Sequence, residues 1–280
     1  MTILITTATG NVGRAATEAL VKRGHSVRGG SRSPANVKGP GVTAVRFDFS
    51  DPTTFGPALE GVRAAFIAAP PGHLDALALL GPFFREAAMR GVRLVTMTAS
   101  GVEHSDEIPL RKVELEIERL GVGHVHLRPS WFSQNFGTFW LGPILSDGVI
   151  ALPAGDSRTA FIDARDIGEA AAAVLSDPAR DGHAFTLTGP AALTYGEAAE
   201  ILTAASDRPI RYVSTDDAGF VRGAVAAGLP EEYGTMMASL FGAVRAGAAA
   251  RVDPSLPDLI GRPARTLADY AKDHAAIWRR

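Results

Sequence analysis

The feature that most constrains this chain is its opening. The apolar triplet Ile3-Leu4-Ile5 runs into Thr6-Thr7-Ala8-Thr9-Gly10-Asn11-Val12-Gly13, then into a helical pattern with Val12, Ala16, Ala19 and Leu20 on one face and a stop at Gly24. A strand, a glycine-bearing turn and a helix in that order present backbone N–H groups and a helix dipole to an anion. The alternation then repeats. Strands are expected from Ser26 to Gly30, Val42 to Phe47, Ala64 to Ala68, Arg93 to Met97 and His124 to Leu127. Helices are expected near Thr54 to Glu60, Leu74 to Arg90 and Leu110 to Leu120, the last two ending at Gly91 and Gly121. Strands that are apolar throughout and alternate with helices signal a parallel sheet covered on both faces. The expected fold class is α/β, a Rossmann-type doubly wound parallel sheet with a smaller, mostly helical C-terminal substrate lobe. The expected division is residues 1–130 for the domain that carries this anion-binding turn and 131–280 for the substrate-side lobe, with part of the later chain returning to the sheet.

The cofactor reading follows from the opening turn. Thr9, Gly10, Asn11, Val12 and Gly13 are expected to line a pyrophosphate, with Gly10 allowing close backbone approach and Gly13 letting the helix pack on the strand. Thr7 stands where such loops commonly carry their first glycine. A β-branched residue is strained there if the position needs positive φ; if it needs only a small side chain, Thr7 fits as a cofactor-binding residue with its hydroxyl facing the ligand, the alternative being a degenerate loop with lost affinity. The second strand ends in Gly29-Gly30-Ser31-Arg32-Ser33, with an arginine where an NAD-binding chain carries an acid. A guanidinium pairs bidentately with phosphate, so Arg32 favours NADP(H), the alternative being a solvated surface arginine. Asp48 can accept from an adenine amino group with Phe49 packing beside it, or it can be a turn aspartate.

Bulk properties remove other classes of function. With 28 basic and 30 acidic residues, a net charge of -2 and no long run of either sign, the 280-residue chain offers no basic stripe for nucleic acid. The lack of cysteine excludes disulfides, thiol catalysis and thiolate metal sites. His124 and His126 share a strand face but lack a third ligand, so no metal is expected. No basic leader or membrane-length apolar run is visible, so a cytoplasmic protein without a membrane partner is expected.

The chain resembles the NmrA-like branch of the atypical short-chain dehydrogenase/reductases, which includes type-2 quinone oxidoreductases and triphenylmethane reductase. The resemblance spans nearly the whole sequence. It rests on TATGNVGRAATEAL (Thr7–Leu20), the arginine-ended second strand, VRFDFSDPTTFGPALEGV (Val45–Val62), LRPSWFSQNF (Leu127–Phe136), TAFIDARDIGEAAAAVL (Thr159–Leu175) and LTGPAALTYGEAAEIL (Leu187–Leu202). It implies NADP(H) along the C-terminal edge of the sheet. The turns Ala68-Ala69-Pro70-Pro71 and Thr98-Ala99-Ser100 would line it, with Pro129, Ser130, Trp131 and Phe132 near the nicotinamide.

Short-chain reductases generally donate a proton from a tyrosine followed four residues later by a lysine. Aligned through Gly121, those positions fall on Leu110 and Glu114, and none of Tyr195, Tyr212, Tyr233 and Tyr270 is followed at that spacing by lysine. Glu114 either touches the nicotinamide ribose or is a solvated helical residue, and no catalytic residue is assigned. Hydride addition to a simple ketone needs a positioned acid. Addition to a quinone yields a phenolate-like anion that water can protonate. The missing dyad therefore favours a quinone or similar planar conjugated acceptor. The segment from Trp131 to Trp140 carries five of the chain's 20 aromatic residues, which either stack on such an acceptor or form a seam between lobes. Trp131, Phe132, Asn135 and Phe136 are the expected substrate residues, and Gln134 a further ligand-orienting residue. The alternative to a reductase is an NADP(H)-binding sensor without turnover, acting on a protein partner.

Overall fold

The computed structural model describes residues 1–70, 72–73 and 75–279. The expected Pro71 turn residue and the Leu74 helix start lie outside them. The chain falls into two units.

The first unit comprises Met1–Pro129, Ala164–Leu187 and Ser255–Arg262. Its strands are β1 (Thr2–Ile5), β2 (Ser26–Ser31), β3 (Val42–Arg46), β4 (Ala64–Ala68), β5 (Arg93–Met97) and β6 (His124–Pro129). The interleaved helices are α1 (Asn11–Lys22), α2 (Phe55–Leu59), α3 (Ala76–Met89) and α4 (Pro109–Leu120). After leaving this unit the chain comes back through α6 (Ala164–Leu175) and β9 (His183–Leu187), and later through α10 (Ser255–Ile260). The sheet has seven strands in the order β3-β2-β1-β4-β5-β6-β9, every pair parallel. The strand order reverses between β1 and β4, and the C-terminal ends of strands at such a switch point form the ligand crevice of open α/β sheets.

Two packings fix that crevice. On one face, α1 lies so close to α6 that a Cβ on Gly168 would stand 2.5 Å from the Ala15 side chain and 2.6 Å from the Ala16 nitrogen. On the other, Phe47, Phe49, Phe55 and Phe83 pack edge-to-face and stacked at centroid distances of 4.8–5.8 Å. Burying each such ring contributes about 1.5–3 kcal/mol. The helices end as their sequences direct: α4 begins with Pro109 at its first position and stops at Gly121, whose φ of 69° suits a residue without a side chain.

The second unit comprises Ser130–Asp163, Thr188–Pro254 and Pro263–Arg280, of which residues 263–279 of the last segment are described. It contains α5 (Leu141–Asp147), β7 (Val149–Leu152), β8 (Arg158–Thr159), β10 (Leu193–Thr194), α7 (Tyr195–Ser206), β11 (Arg211–Ser214), α8 (Asp217–Ala226), α9 (Glu231–Arg245) and α11 (Leu267–His274). β7 pairs with β11 in parallel, and β8 pairs with β10 antiparallel. Its core gathers Phe136, Trp140, Ile150, Phe161, Tyr195, Phe241 and Trp278.

Candidate functional site

The turn after β1 is built around the carbonyl of Thr7. That oxygen accepts from Gly10 N at 3.0 Å, and a Cβ on Gly13 would lie 1.9 Å from it. Gly13 is therefore required by close packing. Thr7 is not strained: Asp207 is the only non-glycine with positive φ among the described residues. Of the two readings of Thr7, the structure supports the one asking only for a small side chain. Ala8 N bonds Gly30 O at 3.2 Å, which ties the loop to the end of β2. Gly10 caps α1 in an extended conformation without a side-chain cap bond. The N–H groups of Asn11, Val12 and Gly13 make no hydrogen bond among the described residues. Three first-turn donors beside an exposed glycine are what a pyrophosphate needs, so the loop fits a dinucleotide.

Arg32 follows β2 directly, is exposed, and makes no hydrogen bond or ion pair among the described residues. Beside it Ser31 Oγ accepts from Ser33 N at 3.1 Å, shaping the turn. Arg28, by contrast, is engaged, donating to Pro57 O at 2.7 Å. Asp48 closes its own turn, with Oδ1 accepting from Ser50 N at 2.9 Å. Phe49 is 7% exposed and belongs to the phenylalanine core. Its ring packs edge-to-face on Phe47 and Phe83, beside the Asp48 turn.

The ends of β4, β5 and β6 carry the other expected contacts. Ala69, Pro70, Ala99 and Ser100 are half-buried, and Ala68, Thr98 and Pro129 are buried. Thr98 N bonds Leu127 O at 2.9 Å and Ser100 N bonds Pro129 O at 3.0 Å, so the two strand ends are joined beyond the sheet.

Behind them lies a group that sequence reasoning missed. Glu114 is 0% exposed, neither solvated nor presented to a ligand. Its Oε1 accepts from Thr98 Oγ1 (2.7 Å) and Arg128 Nε (3.0 Å), and its Oε2 from Arg111 Nη1 (2.8 Å) and Arg128 Nη2 (2.7 Å). Four donors fill a carboxylate's lone-pair sites, so the expectation of direct ribose contact is corrected. Burial pushes this carboxyl up, but the bonds from Arg128, Thr98 and Arg111 outweigh it and hold it below the usual carboxylate range. Arg128 inside the apolar strand HVHLRP was the available signal, since a buried guanidinium requires a buried acid.

One layer deeper, His126 is buried with neither ring nitrogen hydrogen-bonded, and its Nε2 is 3.6 Å from Glu118. Burial pushes it down to about 4 against the pull of Glu114. Glu114, Glu118 and His126 bring three potential ligand atoms within 4.8 Å. Arg111 Nη1 bonds both carboxylates there, at 2.8 and 2.7 Å, and supplies the positive charge a metal would bring.

In the second unit Trp131 is half-buried and stacks on Phe241 at 4.8 Å and on Trp140 at 6.0 Å. Phe132 and Asn135 are also half-buried, and the Asn135 amide makes no hydrogen bond among the described residues. Phe136 is 0% exposed and packs on Trp140 and Phe161, so the expectation that it lines a substrate site is corrected. Gln134 donates to Asp163 at 2.9 Å rather than being left to a ligand. Of the four tyrosines, Tyr233 is half-buried and the other three are engaged or enclosed. Tyr195 is fully buried, and burial pushes its phenol up. Tyr212 donates to Leu152 O at 3.0 Å, and Tyr270 is buried.

A parallel seven-strand sheet with a switch point, and an anion-cradling first turn at that switch point, define a dinucleotide-binding Rossmann protein. The chain belongs to the NAD(P)H-binding family, which it matches over residues 7–178. It is 36% identical over 279 residues to the uncharacterized oxidoreductase YesF of Bacillus subtilis (strain 168), covering 99% of this chain and 96% of that one. It is 30% identical over 246 residues to the NAD(P)H azoreductase of Xenophilus azovorans, covering 85% and 84%. The NADPH complex of the NADPH-dependent quinone oxidoreductase QOR2 from Escherichia coli superposes with a TM-score of 0.84 at 26% identity, covering 97% of this chain and 99% of that one. The protein is thus an NAD(P)H-dependent oxidoreductase. Among the described residues no helix is long and apolar enough to cross a membrane.

Proposed function

We propose that this protein is a cytoplasmic NADPH-dependent reductase that passes hydride directly to a quinone or similar planar conjugated acceptor. The observation that carries the reading is the replacement of the proton-donating dyad. Leu110 stands in the tyrosine position, and the lysine position holds Glu114, whose carboxylate is saturated by Thr98, Arg111 and Arg128. A face so arranged has no proton to give an alkoxide. It suits an acceptor whose reduced form is a stabilised anion, protonated afterwards by water.

Bound NADPH supplies the hydride. The chain's own part is to bind and orient. The N–H groups of Asn11, Val12 and Gly13 take the pyrophosphate, and Arg32 takes the 2′-phosphate. Trp131 and Phe132 offer half-buried ring faces of the kind that stack on flat conjugated molecules, with the Asn135 amide to orient a carbonyl oxygen. The azoreductase and quinone oxidoreductase relatives act, by their names, on conjugated acceptors of this class.

The test follows NADPH absorbance with a panel of benzoquinones, naphthoquinones and azo dyes. The reading expects oxidation with at least one quinone. NADPH binding without oxidation across the panel would contradict it and make the protein a cofactor sensor acting on a protein partner.

A further inference from the structure

The buried carboxylate cluster sits at a mechanically informative place. Thr98 follows β5, and Arg128 is the penultimate residue of β6, before Pro129. Glu114 is on α4, which covers these strands on one side, and its carboxylate reaches both residues at once. The fork of Arg128 meets the fork of Glu114 through Nε and Nη2, a bidentate arrangement that fixes orientation as well as distance. Arg128 Nη1 also lies 3.6 Å from Glu103, in the short helical turn at Val102–His104 that follows Ser100. Arg111 continues the chain of charges to Glu118 at 2.7 Å. One carboxylate thus fastens the end of β5, the end of β6 and, through Arg128, the segment after Gly101.

Those ends have a defined place in a doubly wound sheet. The adenosine half of a dinucleotide lies on the β1-β2-β3 side of the switch point, and the nicotinamide half on the β4-β5-β6 side. The Gly10–Gly13 loop and Arg32 serve the first half. The backbone that follows Thr98 and Arg128 serves the second.

We propose that Glu114 is a positioning residue that holds the C-terminal ends of β5 and β6, through Thr98 and Arg128, in the arrangement that receives the nicotinamide half of the cofactor. The residue in the lysine position has become a brace for the same half of the cofactor, acting through two neighbours instead of touching it. The proposal rests on the cofactor reading above and not on the identity of the acceptor.

Its test needs no turnover. Wild type, Glu114→Gln and Thr98→Val are titrated calorimetrically with NADPH and with 2′,5′-ADP, which carries the adenosine half alone. In Glu114→Gln an amide N–H faces guanidinium donors and the bidentate pair is lost. In Thr98→Val a single hydrogen bond is lost with little change of shape. The expected result is an NADPH dissociation constant raised about tenfold in Glu114→Gln, or about 1.4 kcal/mol, and about threefold in Thr98→Val. Binding of 2′,5′-ADP is expected to stay within about twofold in both. Equal weakening of both ligands would show that the cluster merely supports the fold, and unchanged NADPH binding would show that it supports nothing the cofactor feels. Either overturns the proposal. If Glu114→Gln does not fold, Thr98→Val decides alone, by the same comparison. Failure of wild type to oxidise quinones would count against the proposed reaction and leave this result standing on its own binding data.

Discussion

At the scale of single residues, Gly13 and Arg32 have different parts in the proposed cofactor site. Gly13 has no room for a methyl group, since its Cβ would lie 1.9 Å from Thr7 O and 2.7 Å from Thr7 C. The Gly13→Ala variant is therefore expected to lose about 1–3 kcal/mol of stability by overpacking, and to bind NADPH at least about tenfold more weakly as the N–H cradle opens. Thr7→Gly is expected to do the opposite of a repair. With an ordinary φ at Thr7, the change lowers stability by about 0.5–1 kcal/mol through added chain entropy and leaves NADPH affinity within about twofold. Thermal melts and calorimetry check both variants, and a large gain in affinity from Thr7→Gly would refute the loop as described. Arg32 is exposed and free of partners, so its worth appears only with ligand. Arg32→Glu should weaken NADPH about tenfold to a hundredfold while NADH changes by no more than about twofold, and equal losses would remove its 2′-phosphate role. Gly10, Gly13 and Arg32 could be named as candidates from sequence because each answers a local demand. Glu114 was named as well, but its buried cluster was not foreseen, because its partners Thr98 and Arg128 lie on other elements and a charge on a helix reads as solvated.

At the scale of elements, α4 and β6 enclose a buried polar layer whose protonation couples to folding. His126 has a folded-state pKa of about 4, below its ordinary 6.5. Between those values the unfolded chain binds a proton that the folded chain refuses, so stability falls as pH falls from 6.5 to about 4 and this contribution levels off below. The loss over that window is about 3 kcal/mol. Glu114, held below its usual range, adds a loss of the same sign that begins lower, below about 4.5. Urea denaturation of His126→Leu across pH 4 to 7 is expected to show a flatter profile than wild type above pH 4.5, and an unchanged slope would contradict the account. The strands β1–β6 and the helices α1–α4 of the sheet unit were readable because they carry their own signals: apolar strands, and glycines at the ends of α3 and α4. β7 and β11 were missed. They are four residues each, far apart in sequence, and made strands only by pairing with each other. Such pairing has no local periodicity to betray it. α5 and α10, of seven and six residues, are likewise too short to show a helical face.

At the scale of the whole molecule, the chain leaves the sheet after Pro129 and comes back twice, first to supply α6 and β9 and later α10. The first return closes the sheet edge beside β6, and α6 supplies the surface on which α1 and its cofactor turn are seated. The α/β class and the sheet's strands follow from apolar patterning. The identity of β9 as the seventh strand follows only from pairing along Val125–Pro129 with His183–Leu187. The aromatic segment shows the limit of composition as a guide. Trp131 and Phe132 keep partly open faces, while Phe136 and Trp140 are core and Phe139 is 63% exposed. Five rings in ten residues therefore take three different environments, which sequence alone does not distribute. The central proposal is chemical: a reductase without a tyrosine–lysine acid is expected to serve acceptors that need none. The most direct measurement is kcat/KM with NADPH for a naphthoquinone and for an aliphatic ketone in the same buffer. The account predicts turnover of the quinone and no detectable reduction of the ketone, whereas comparable values for the two would contradict it.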